Sequence, residues 1–223
     1  MKKVFVIATM IVATLSANAQ AEEGSLTIQP HMGGTGSTIS NADFAPNEKG
    51  YKAKLDKDAN AGGIFGVELE YQLSKKFSVA GGLNFMQAGT AWKDTSYGGV
   101  KFKDMKVETS YVAVPLVANY YVCKGLALKA GVQFAFLTEA KSKFTAEEGN
   151  IRLSYDSSCK DQFNKFDLSI PVGISYEFKV PIVIDLRYNI GLTKVNKNDN
   201  IFGDSGNNRN NAVTLTVGYK FKL

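Results

Sequence analysis

The chain has 223 residues, 44% of them apolar and 21% charged, with a formal net charge of +5 at pH 7. That length allows one domain of roughly two hundred residues, and the charge is too mild for nucleic-acid binding through electrostatics alone. No window after the first twenty residues approaches the apolar run that a transmembrane helix needs.

The N-terminus reads as an export signal. Lys2 and Lys3 precede an apolar run from Val4 to Leu15 that is too short to span a bilayer, and Ala17-Asn18-Ala19 supplies a small-x-small cleavage site. Cleavage after residue 19, or after 21 in the next register, would start the mature chain at Gln20 or Glu22 and lower the net charge to +3, because the segment holds no acidic residue. No cysteine follows the apolar run, so a lipoprotein anchor is not expected.

Eight alternating segments follow between residues 24 and 223. Side chains in a strand point to opposite faces at each step, so alternation of apolar and polar residues marks a strand with one greasy and one wet face. The first, Ser25 to Thr35, sets Leu26 and Ile28 against Thr27, Gln29 and His31. The second sets Val67, Leu69 and Tyr71 against Gly66, Glu68 and Glu70, and the third sets Phe77, Val79, Leu83 and Phe85 against Ser78, Gly82 and Asn84. The fourth sets Val112, Val114 and Leu116 against Tyr111, Ala113 and Asn119; the fifth sets Leu126, Leu128, Val132 and Phe136 against Lys129, Gly131 and Gln133. The sixth sets Leu168, Ile170 and Ile174 against Asp167, Ser169 and Glu177, and the seventh sets Ile184, Leu186 and Tyr188 against Asp185, Arg187 and Asn189. The eighth is the cleanest, with Val213, Leu215, Val217, Tyr219 and Phe221 against Thr214, Thr216, Gly218 and Lys220.

Connections alternate in length. Ser74-Lys75-Lys76, Cys123-Lys124-Gly125 and Lys179-Val180-Pro181 are tight turns, whereas 36–60, 90–105, 139–162 and 194–211 are long and polar. Short turns at one end and long loops at the other are the layout of outer-membrane barrels, with the short turns and both termini periplasmic. A wet face of glycine, serine, threonine and charges cannot be a soluble barrel's core, so the apolar face must meet lipid. The expected fold is therefore all-β: an eight-stranded antiparallel up-and-down transmembrane β-barrel.

The stretches Tyr111-Val-Ala-Val-Pro115-Leu-Val-Ala-Asn-Tyr120, Gly125-Leu-Ala-Leu-Lys-Ala-Gly131, Phe166-Asp-Leu-Ser-Ile-Pro171-Val-Gly173, Leu186-Arg-Tyr-Asn-Ile-Gly191 and Gly218-Tyr-Lys-Phe221 resemble the outer-membrane β-barrel proteins common in Bacteroidota, of the porin-family or PorT-like kind. The resemblance implies residence in the outer membrane of a Gram-negative bacterium, contact with its lipids, and recognition of a terminal aromatic by the barrel-assembly machinery. It does not imply a pore. This chain adds Lys222-Leu223 after the aromatic, leaving either Phe221 or Leu223 as the recognised end.

Eight strands leave an interior only wide enough for side chains. The inward charges Glu68, Glu70, Lys129, Asp167, Glu177, Asp185, Arg187 and Lys220 must then pair, because an unpaired buried charge is costly. They form either a salt-bridge plug that replaces the missing hydrophobic core or a gate that rearranges to open a small pore. Pro115 and Pro171 interrupt strands, and bulges are expected there. His31, the only histidine, reads as a hydrogen-bonded interior residue and not a catalytic one, and no nucleotide, zinc or haem motif is present, so neither enzyme nor cofactor is expected.

Cys123 falls in a periplasmic turn and Cys159 in a long loop across an apolar band about 25 Å tall, too far apart for a disulfide. The long loops are where any extracellular ligand would bind. The first mixes Asp43, Glu48, Lys49, Lys52, Lys54, Asp56, Lys57 and Asp58; the fourth holds Asn198, Asp199, Asn200 and Asp204, which lack the spacing of a calcium loop. Three functional classes stay open: a structural or surface-interaction barrel, a narrow solute channel, and a lipid-modifying enzyme.

Overall fold

The computed structural model describes residues 22–41, 56–97, 99–149, 151–197 and 208–223. The expected leader, most of the first loop's charges and the Asn198 to Asp204 group lie outside these residues. Eight long strands carry the fold: β1 (Leu26–Ile39), β2 (Asn60–Gln72), β3 (Phe77–Trp92), β4 (Val100–Cys123), β5 (Leu126–Glu148), β6 (Phe166–Glu177), β7 (Ile182–Gly191) and β8 (Asn210–Tyr219). Each pairs antiparallel with its chain neighbours. The ring closes between β1 and β8, where His31 lies opposite Gly218 and Ile39 opposite Asn210. A two-residue strand, Phe221–Lys222, extends the seam against Thr27 and Ile28. Closure leaves no edge in the ring, so each long strand has a partner strand on both sides.

The three tight turns fall where expected. Gly125 takes a φ of 83° in the β4–β5 turn, a left-handed conformation that glycine adopts without a Cβ penalty. The two ends of the described chain lie at this same end of the barrel: Lys222 Nζ meets Glu22 Oε2 at 2.6 Å, and Leu223 N donates to Leu26 O at 2.9 Å.

Outward side chains through the lower and middle wall are apolar and exposed, among them Leu69, Leu83, Leu116, Leu128, Ile174, Leu186 and Leu215. Aromatic pairs stand at the two margins of this band. Phe77 with Tyr120 and Tyr219 with Phe221 mark the turn end, and Phe65 with Phe85 and Phe136 with Phe166 mark the other. Along β5 the ten steps from Leu126 to Phe136, at about 3.3 Å each and tilted roughly 40°, climb about 25 Å, the height of a lipid-facing band.

Two of the four long loops are shorter than expected. Most of 90–105 and 139–162 is strand: β3 continues to Trp92, β4 begins at Val100, β5 continues to Glu148, and further strands run Thr95–Tyr97 and Ile151–Ser158. The reason is a reversal in the sense of alternation. Above Val112 the outward residues of β4 become Ser110, Glu108 and Lys106, while Thr109, Val107 and Met105 turn inward and are buried. Alternation persists, but its polarity inverts where lipid gives way to water. At the crossing, Ser110 pairs with Glu139 and Tyr111 with Leu137, so Thr138 is an extra residue on β5. Its Oγ1 donates to Ser110 O at 2.9 Å.

The bulges expected at Pro115 and Pro171 are not found. β4 pairs with β3 at Gly81–Leu116 and at Asn84–Ala113 in one unshifted register, and the ladder skips the two residues between. The same two-residue gap lies between β5 and β6 opposite Pro171, while its other side still pairs with Asn189. Each proline therefore removes its donor from one side of one strand without adding a residue.

Candidate functional site

The inward faces stack into three levels. At the turn end, Lys220 Nζ lies 2.9 Å from Glu70 Oε2 and 2.8 Å from Glu177 Oε2. Glu70 Oε1 accepts from Tyr121 OH at 2.5 Å, Ser78 Oγ at 2.5 Å and Asn119 Nδ2 at 3.2 Å. One strand step up from Glu70 on the inward face, Glu68 meets Arg187 through two parallel bonds, Nη1 to Oε1 at 2.5 Å and Nη2 to Oε2 at 2.8 Å. The same guanidinium reaches Asp185 through Nε and Nη2, both at 2.8 Å. Lys129 Nζ sits 2.5 Å from Asp185 Oδ2 and 3.8 Å from Glu68 Oε2. Two carboxylates and two cations thus neutralise one another across three strands, β2, β5 and β7, all at less than 10% side-chain exposure. Such fork-to-carboxylate geometry is the strong form of ion pair, and its completeness offsets desolvation.

Seven of the eight inward charges read from the sequence meet in these two levels. Asp167 does not. It lies at the upper end of β6, one inward step beyond Ser169, and accepts a hydrogen bond from Thr193 Oγ1 at 2.7 Å, with no ion pair to a basic residue among the described residues. Shared face was legible; height along the barrel, which decides who meets whom, was not. His31 is buried, with Nδ1 3.3 Å from Gln29 O, as expected of an interior residue.

The third level corrects the expectation that charge replaces a hydrophobic core. Above the ion pairs, Tyr111, Met86, Ile64, Leu137, Ile39 and Ala212 close into a buried apolar cluster that continues upward through Val107, Met105 and Trp92. Phe163 and Val195, both almost wholly enclosed there, come from outside the eight expected strands: Val195 from the stretch 194–211 and Phe163 from just beyond 139–162. Their only sequence signal is a lone apolar residue inside an otherwise polar stretch. Outside this level, Glu108 lies between Lys106 at 2.7 Å and Lys143 at 2.8 Å; these two ammonium groups outweigh its partial burial and hold its carboxyl below the ordinary range.

Both cysteines are free: Cys123 is exposed at the turn end and Cys159 is buried under the far rim. Burial pushes the Cys159 thiol up to about 11, so it is unreactive as well as inaccessible. A maleimide added to the folded protein is expected to label Cys123 alone, with Cys159 reacting only after unfolding; equal labelling before unfolding would contradict this packing.

A closed eight-stranded ring with an apolar band outside and paired charges inside defines an integral membrane β-barrel. The chain belongs to the outer membrane protein beta-barrel domain family, whose model matches residues 18–197, and its location is the outer membrane. Solved structures of the same general shape include Ail, the attachment invasion locus protein of Yersinia pestis, at 17% identity and a TM-score of 0.43, covering 89% of this chain and 99% of Ail. OprG of Pseudomonas aeruginosa matches at 13% identity and a TM-score of 0.43, covering 92% of this chain and 99% of OprG. Neisserial surface protein A matches at 13% identity and a TM-score of 0.42, covering 89% of this chain and all of that one. A search of curated proteins finds no match.

Proposed function

We propose that this is a non-enzymatic barrel whose lumen is plugged by side chains and whose role is structural or interactive at the cell surface, exerted through its extracellular extensions. We read it as exported by the N-terminal leader, inserted by the barrel-assembly machinery, and of the porin-family kind common in Bacteroidota. The observation that carries this reading is the stacking of two paired-charge levels beneath an apolar one, which leaves the exposed strands above the membrane as the available working surface. A gate would need the Arg187 and Lys220 pairs to separate and the apolar level above them to open together.

Planar-bilayer conductance of protein shown to be folded by heat-modifiable gel migration tests this directly. Silence is expected, in the parent and in Lys220→Gln alike. Reproducible conductance steps altered by substitution at Lys220 would establish a gated pore and replace this reading.

A further inference from the structure

Above the membrane the wall does not end evenly. The upper parts of β4 and β5, with Thr95–Tyr97 on one side and Ile151–Ser158 on the other, stand beyond the lipid band as a four-stranded sheet. Ile151–Ser158 pairs with β5 along one side, and among the described residues no strand pairs with its other side. It is eight residues long and unbroken by proline or bulge. Ile151, Leu153 and Tyr155 are 64%, 68% and 49% exposed. Edges of this kind template pairing with another strand, and proteins ordinarily blunt them with charges that repel.

Here the charges do the opposite. Laid antiparallel against a second copy of itself and centred on Ser154, the strand places Arg152 opposite Asp156 twice, and Leu153 opposite Tyr155 twice. Both charged side chains are available, 65% and 58% exposed, held in their own sheet only by longer contacts to Glu147 (3.4 Å) and Lys143 (3.7 Å). Opposite charges directly across a strand pair stabilise it, and like charges destabilise it.

The symmetry then selects where the second copy must be. A symmetric antiparallel strand pair has its two-fold axis perpendicular to the sheet. This sheet continues the barrel wall, so its perpendicular is radial and lies in the plane of the membrane. Two barrels side by side in one membrane are related by an axis along the membrane normal, which does not fit. Barrels in two facing membranes are related by an axis in the membrane plane, which does. We infer that Ile151–Ser158 is a self-complementary docking edge that joins a second copy of this chain in an opposing membrane. The inference rests on the surface role proposed above. With Ser154 opposite Thr145, seven residues above Thr138, the two bilayer surfaces would stand about 35 Å apart at roughly 3.3 Å per residue and 40° tilt.

The test uses the full mature chain refolded into phosphatidylcholine vesicles, with tethering read by light scattering and spacing by electron cryomicroscopy. Parent vesicles are expected to tether, with sites of close apposition near that spacing. Arg152→Asp and Asp156→Arg, each alone, oppose like charges and are expected to slow tethering at least tenfold. Vesicles of the first variant mixed with vesicles of the second restore both opposite-charge pairs and are expected to tether again. Absence of tethering by the parent, parent-like tethering by both single variants, or failure of the mixture to recover would each overturn the inference. The same folded preparations in planar bilayers report separately on the lumen: silence without tethering refutes only the docking edge, whereas conductance refutes the surface reading beneath it.

Discussion

Arg187→Met should lower the urea midpoint of the barrel sharply relative to the parent. The guanidinium makes four hydrogen bonds, two to Glu68 and two to Asp185, and both carboxylates are almost wholly enclosed. Removing it leaves two buried negative charges facing the single ammonium of Lys129. Breaking a buried pair in this way typically removes about 3–5 kcal/mol, a large fraction of the stability of a single domain. Arg187→Lys restores the charge but cannot fork between two carboxylates, so it should fall between parent and Met variant. Urea titration with heat-modifiable migration as the readout measures both. A Met variant with the parent's midpoint would mean that the middle level contributes no net stability.

Gly33→Ala should prevent ring closure altogether. Gly33 faces inward on β1 opposite Thr216 of β8, at the seam where the first and last strands meet. A methyl group at that position would stand 2.0 Å from Leu215 O and 2.7 Å from Thr216 Cα. Both are backbone atoms, so no rotamer relieves the overlap; the strands must part or change register. A one-residue change of register would turn the inward threonines of β8 toward lipid and its valines and leucine toward the lumen. The alanine variant is expected to refold in low yield and to remain protease-sensitive. Gly36→Ala, three positions along the same strand, meets nothing within 4 Å and serves as the control. Equal refolding of the two variants would show that the seam tolerates displacement.

Much of the fold was readable because a barrel wall is a periodic object. Parity assigns Glu68, Arg187 and Lys220 to the inside and Leu186 and Val217 to the outside and yields eight strands, and the alternation of turn and loop lengths separates the two ends of the barrel. Besides the bulges expected at Pro115 and Pro171, three things escape such a reading. The pairing of inward charges depends on height, which follows from register and shear, so Asp167 was grouped with cations it does not meet. The upper strands in 90–105 and 139–162 resemble polar loop because the apolar parity switches from outside to inside at the membrane margin, so polar residues such as Lys141 and Lys143 face outward where apolar ones are expected of a strand. The enclosed Phe163 and Val195 obey no strand period, since each enters the core from an irregular segment.

That switch of parity has a consequence for how the molecule sits. On β4, Val112 and Val114 face hydrocarbon while Glu108 and Lys106, two and three outward positions above Val112, face water. Sliding the barrel inward by two residue pairs would submerge the Glu108–Lys106–Lys143 group, and sliding it outward would bare valine and phenylalanine. Charged side chains are penalised steeply with depth on the lipid face of such barrels. The protein therefore acts as a fixed gauge: in a bilayer thicker or thinner than its own band, it is the lipid that must stretch or compress around it.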